Sequence, residues 1–110
     1  MKTVNNENII MVDIDDNLIM HKYSQTAETI RMDFYGEMTT FGVHKEHVKL
    51  VKNYKARGFH VIAWSGNGYK HAERAINALG LQDYVDQIMT KPNRVIDDSE
   101  PNNWAPRIYI

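Results

Sequence analysis

Two aspartates two residues apart, Asp13 and Asp15, close the apolar run Ile9-Ile10-Met11-Val12, and polar groups close three later runs in the same way. Ser65 follows Val61-Ile62-Ala63-Trp64, Lys91 stands just beyond Gln87-Ile88-Met89, and the pair Asp97-Asp98 follows Arg94-Val95-Ile96. Carboxylates are hard oxygen donors that suit Mg²⁺, which keeps several waters and binds through one or two carboxylates plus substrate oxygen. A lysine and a hydroxyl beside them suit a phosphate, because cation and lysine together offset charge that would repel an anionic nucleophile. The chemistry depends on convergence: four segments spread over some eighty positions must meet at one place.

The elements that position these groups can be read from periodicity. Ile9–Val12 is short, rich in β-branched residues and bounded by polar ones, as expected of a strand buried on both faces in a parallel sheet. Phe59–Trp64, Gln87–Met89 and Arg94–Ile96 read as further strands, and Arg107–Ile110 as a last edge strand. His44 to Arg57 reads as a helix with Val48, Val51 and Tyr54 on one stripe and Gly58 at its stop. A second helix is expected from Tyr69 to Leu79, with Ala72, Ala75, Ile76 and Leu79 inward and Gly80 ending it. Between residues 20 and 43, Ile30, Met32 and Phe34 alternate with polar residues and Gly36 offers a turn, which predicts a β-hairpin beside the first strand. Strands alternating with helices predict one α/β domain over residues 1–110 with a mainly parallel sheet. In such sheets ligands bind beyond the carboxyl ends of the strands, where the polar groups named above stand.

The composition narrows the field. The chain has 110 residues, 43% of them hydrophobic and 25% charged, as in an ordinary globular domain. A net charge of −1 supplies no general attraction to nucleic acid or a membrane, so nucleic acid is expected only as a substrate. There is no long apolar run, and Met1–Glu7 lacks the apolar region of a signal peptide. Cysteine is absent, which excludes disulfides, thiol catalysis and zinc–thiolate sites; a cytoplasmic setting is the simplest expectation.

In its four run-ending motifs the chain resembles the haloacid dehalogenase (HAD) superfamily of phosphatases over roughly residues 8–98. Ile9-Ile10-Met11-Val12-Asp13-Ile14-Asp15 is similar to that family's first motif, Val61–Ser65 to its second, Lys91-Pro92 to its third, and Val95-Ile96-Asp97-Asp98 to its fourth. The resemblance implies a Rossmann-like three-layer sandwich and a Mg²⁺-dependent phosphatase that hydrolyses phosphate monoesters, nucleotides included. It implies that Asp13 attacks phosphorus to form an aspartyl-phosphate and that Asp15 protonates the leaving oxygen and then activates water. Ser65 would bind a phosphoryl oxygen and Lys91 would neutralise charge. Asp13, the Asp15 carbonyl and Asp97 would hold Mg²⁺, with Asp98 a further ligand through water or a supporting group. The usual Gly-Thr after the second Asp is replaced by Asp16-Asn17. Residues 20–43 are too few for a full cap domain and fit a flap over an open site, which leaves room for lid-sharing in an oligomer.

Other readings are weaker. Asp13-x-Asp15-x-Asn17 begins like a calcium loop, but Leu18 and Ser24 stand where that loop needs Gly and Glu. Gly66-x-Gly68 lacks the third glycine of a dinucleotide loop, because position 71 is His. A phospho-accepting receiver domain would place its aspartate after the middle strand, yet no Asp occurs between Asp33 and Asp83. A non-catalytic phosphate- or metal-binding, or regulatory, protein on the same fold stays open. Asp16 and Asn17 read equally as turn residues. His44 and His47 read as a solvated helix face, Trp64 as core, and His21, Tyr23, Arg31, Tyr35 and Asn67 as side chains within possible reach of a substrate.

Overall fold

The computed structural model of the chain describes residues 8–100. In chain order it contains β1 (Ile9–Asp13), β2 (Ile19–Met20), β3 (Thr29–Phe34), β4 (Glu37–Val43), α1 (Lys45–Ala56), β5 (His60–Ser65), α2 (Tyr69–Ala78) and β6 (Gln87–Thr90). The fold is mixed α/β, with a parallel sheet in the order β1-β5-β6 and a separate antiparallel sheet in the order β2-β4-β3. No helix among the described residues is long and apolar enough to cross a membrane.

Local chemistry sets the helix limits. The His44 side chain caps α1 by accepting the His47 N–H at 3.2 Å. At the other end Gly58 takes φ +86°, its N–H reaching the Lys55 carbonyl and that of Phe59 the Tyr54 carbonyl. This pair of bonds satisfies carbonyls that the helix leaves without partners, and its left-handed residue favours glycine. The same closure ends α2 at Gly80, after which Leu81 returns fully buried to the core. Ala72, Ala75 and Ile76 form the inward stripe of α2.

Both sheets share one core. Val61 and Ala63 of β5, Phe41 of β4 and Ala72 and Ala75 of α2 are all wholly buried. Helix α2 packs against β5 and β6 and also against β3, so it joins the parallel sheet to the hairpin. The β3–β4 hairpin turns through Tyr35 and Gly36, with φ of +52° and +87°. Two positive φ values in a two-residue loop match the twist of paired strands, which is why the turn is tight.

Four expectations are corrected. The hairpin forms, but it pairs with β2, not β1. The strand predicted at Arg94–Ile96 is absent, and the segment from Lys91 to Glu100 is exposed with no strand. Residues that favour strands make one only against a partner edge, and Val95 and Ile96 meet none: they are 63% and 105% exposed. In consequence β1 pairs only with β5 among the described residues, and it is half-buried instead of enclosed. His44 and His47 are not a solvated face: His47 is buried and their rings stack at 3.5 Å. The predicted edge strand Arg107–Ile110 lies outside the described residues, as does the Met1–Glu7 segment.

Candidate functional site

The parallel register brings three of the four expected segments to one edge. Asp13 pairs with Trp64 across β1 and β5, and Ser65 with Thr90 across β5 and β6. Adjacent strands lie about 4.8 Å apart, so the ends of β1 and β6 stand roughly 10 Å apart with Ser65 between them. The Lys91 N–H donates to the Ser65 carbonyl at 2.9 Å, which ties the start of the next segment to this edge. The Lys91 ammonium lies 5.9 Å from the centre of the Trp64 ring, within range of a cation–π attraction. Trp64 is thus half-buried with one partner in the site, where the sequence suggested core packing.

Beyond Asp13 the chain turns sharply. The carbonyl of the buried Ile14 accepts N–H groups from Asn17, Leu18 and Ile19. Asp16 adopts φ +55°, a left-handed conformation that aspartate tolerates better than most residues. Its carboxylate accepts the His21 N–H at 3.1 Å. Asn17 donates from Nδ2 to Asp13 Oδ2 at 3.3 Å, and its carbonyl accepts from His47 Nδ1 at 2.7 Å. Asp16 and Asn17 therefore shape the turn.

Asp15 is the centre of the site. Its Oδ2 accepts from Ser65 Oγ at 2.8 Å and from Asn67 Nδ2 at 3.1 Å. Its Oδ1 accepts from His21 Nε2 at 3.0 Å and His71 Nε2 at 2.8 Å. A carboxylate offers about four lone-pair positions, and all are engaged. Desolvation by partial burial pushes the Asp15 pKa up. Hydrogen bonds from His21, His71 and Ser65, with the charge of His71, outweigh it and hold the carboxyl below its ordinary value. Asp15 is accordingly a fixed anion. Asp13, by contrast, accepts only the Asn17 bond among the described residues and keeps oxygen lone pairs free.

The histidines are held by aromatic packing. His21 meets Phe34 and Phe41 edge-on at 5.6 and 5.0 Å, and His71 lies 5.0 Å from Phe34. His71 is 5% exposed, and its Nδ1 is buried without a partner among the described residues. The β3–β4 turn meets the same loop, where the Tyr35 hydroxyl donates to Asn67 Oδ1 at 2.8 Å.

Of the expected site residues, Asp13, Asp15, Ser65 and the backbone of Lys91 meet at this edge. Asp97 and Asp98 stand in the exposed segment and bond locally to Ser99. The Ser99 backbone N–H, first among several local bonds, holds the Asp97 carboxyl below its ordinary value. Among the described residues no group of three or more His, Asp or Glu side chains is arranged to hold a metal ion. His71 was missed in the sequence, where it counted only as an interruption of a glycine pattern. The signal was present: a histidine four residues before Ala75 falls on the inward stripe of α2, and a buried polar group needs a partner. His21 and Asn67, which the sequence places within reach of a substrate, each donate to Asp15.

No family model matches the chain, and neither the curated proteins nor the solved structures include a match.

Proposed function

We propose that the chain is a Mg²⁺-dependent phosphatase of the HAD type, hydrolysing phosphate monoesters through an aspartyl-phosphate on Asp13. On this reading the parallel sheet and its helices are the centre of a Rossmann-like three-layer sandwich, and the hairpin is a flap in place of a cap domain. The supporting observation is that a carboxylate with free lone pairs, Asp13, shares the carboxyl edge of a parallel sheet with Ser65 and Lys91. Asp13 Oδ attacks phosphorus, the bond from phosphorus to the leaving oxygen breaks, and that oxygen takes a proton. Water then attacks the phosphorylated Asp13, releasing inorganic phosphate and restoring the carboxylate.

Asp15 would supply the proton and later accept one from water. With four donors on its two oxygens it can do so only after one donor lets go. Asp13 fits Mg²⁺, since its lone pairs are available and this cation needs only one or two carboxylates. The Asp15 carbonyl would be the second protein ligand, and bound Mg²⁺ would offset the charge between carboxylate and phosphate. Asp97, with Asp98 through water, would complete that set, as the resemblance implies.

One observation favours the second reading, a phosphate- or metal-binding protein without turnover: Asp15 is saturated as an acceptor. The test is release of phosphate from an aryl phosphate with Mg²⁺, with EDTA, and for Asp13→Asn. The catalytic reading expects turnover that EDTA abolishes and that falls by orders of magnitude in the variant. Absence of turnover across a panel of phosphate esters, or equal rates for both proteins, would overturn the catalytic reading and favour the binding one.

A further inference from the structure

Behind the two side chains that reach Asp15 from the far loop and helix lies a recess of about 240 Å³, between the flap turn and one face of α2. Asn67, Lys70, His71 and Arg74 form one wall and Asp33 to Gly36 the other. Lys70, His71 and Arg74 share a face of α2 because residues three and four apart lie on one side of a helix, and Asn67 joins them from the loop before it. Asn67 and His71 bond to Asp15 while lining the recess, so the recess borders the site.

The recess is cationic, and its cations are underused. Arg74 faces Asp33 at 3.8 Å, beyond hydrogen-bond distance, which leaves its guanidinium donors unspent. Lys70 forms no ion pair or side-chain hydrogen bond among the described residues. At this size the recess is below the range of about 300–1,000 Å³ that encloses a whole small ligand. It can hold one end of a substrate whose reacting end lies elsewhere. An arginine with a free fork and a lysine one turn away suit a phosphate, which takes paired N–H donors from one and a point charge from the other.

We propose that this recess is a second-phosphate subsite, so that the preferred substrate is a phosphate monoester whose leaving group carries another phosphate. The assignment rests on the phosphatase reading of Asp13. The second phosphate displaces Asp33 from Arg74 and seats between Lys70 and Arg74, under the Tyr35 turn.

The test compares adenosine 3′,5′-bisphosphate with adenosine 3′- and 5′-monophosphates as substrates, alongside calorimetric binding of the bisphosphate to Asp13→Asn protein. The expected result is a kcat/KM at least tenfold higher for the bisphosphate. That preference falls to near unity in the Lys70→Ala/Arg74→Ala protein, is partly kept by Arg74→Lys and grows in Asp33→Asn. Turnover of all three nucleotides at equal kcat/KM, or a preference that survives the double variant, overturns the subsite while leaving the phosphatase reading standing. No turnover of any nucleotide, with bisphosphate binding that the double variant abolishes, leaves a phosphate-binding recess but overturns its assignment as a substrate subsite.

Discussion

Asp15→Asn tests whether the four donors hold this carboxylate or merely surround it. The replacement keeps the shape, but its amide can accept through only one atom and turns two N–H groups toward two of the donors. Hydrogen bonds to a charged group contribute about 1.5–3 kcal/mol each and neutral ones about 1 kcal/mol. Two bonds are lost and two weakened, partly compensated by solvent because the Asp15 side chain is 19% exposed. The expected destabilisation is about 2–3 kcal/mol, which in a domain of this size lowers Tm by roughly 10–20 °C. The pH dependence has a definite sign. Because the folded pKa of Asp15 is depressed, the unfolded chain binds more protons as pH falls, and the contribution is complete only above the unfolded value near 3.9. Urea midpoints measured from pH 7 downward should show the gap between wild type and variant closing below about pH 4. An Asp15→Asn protein as stable as wild type at pH 7, or more stable, would refute the reasoning: the carboxylate would then be repelled in the folded state, not stabilised.

Two further perturbations probe the frame around the site. Gly42→Ala should cost about 1–3 kcal/mol in urea denaturation, since its Cβ would collide with Thr26 Oγ1. That hydroxyl is fixed within 2.9 Å of the Tyr23 and Glu28 carbonyls and cannot step aside, so a neutral result would mean the β4–Thr26 contact is loose. Asp86 accepts from Lys55 Nζ at 2.6 Å and from the Val61 N–H at 2.8 Å. Desolvation raises its pKa, but these bonds and the Lys55 charge prevail and lower it. Its stabilisation is therefore present above about pH 4 and lost as pH falls through the lower folded value. Asp86→Asn should be less stable than wild type at pH 6 and indistinguishable at the acid end of the same titration.

What could be read in the chain beforehand depended on whether the signal was local. Both helices and their stops were legible because an apolar stripe and a following glycine carry all the information. The hairpin turn at Gly36 was legible for the same reason, but its partner strand was not, because β2 is two residues long and has no periodicity to detect. Val95 and Ile96 show the opposite failure. Their preference for strand is real, yet Pro92 and Asn93 precede them and nothing among the described residues pairs with them. The two helical histidines turned on one residue of register: α1 begins at Lys45, so His44 is a cap beside its stack partner and not a member of an exposed face.

The site itself was half legible, and the hidden half changes its chemistry. Run-ending residues pointed to Asp13, Asp15 and Ser65, but three of the four donors on Asp15 come from His21, Asn67 and His71, whose convergence is purely tertiary. Asp15 thereby joins the turn after β1, the loop after β5, α2 and the flap in one node. A group that must exchange a proton cannot keep four donors, so under the phosphatase reading one contact must break in each cycle. His71 is 5% exposed and cannot leave without opening the core, whereas the His21 side chain is 38% exposed. His21 packs on Phe34 and Phe41 of the hairpin. Phe41 is wholly buried in the shared core, so the hairpin stays in place and the donors able to let go are the exposed His21 and Asn67, the latter held by Tyr35.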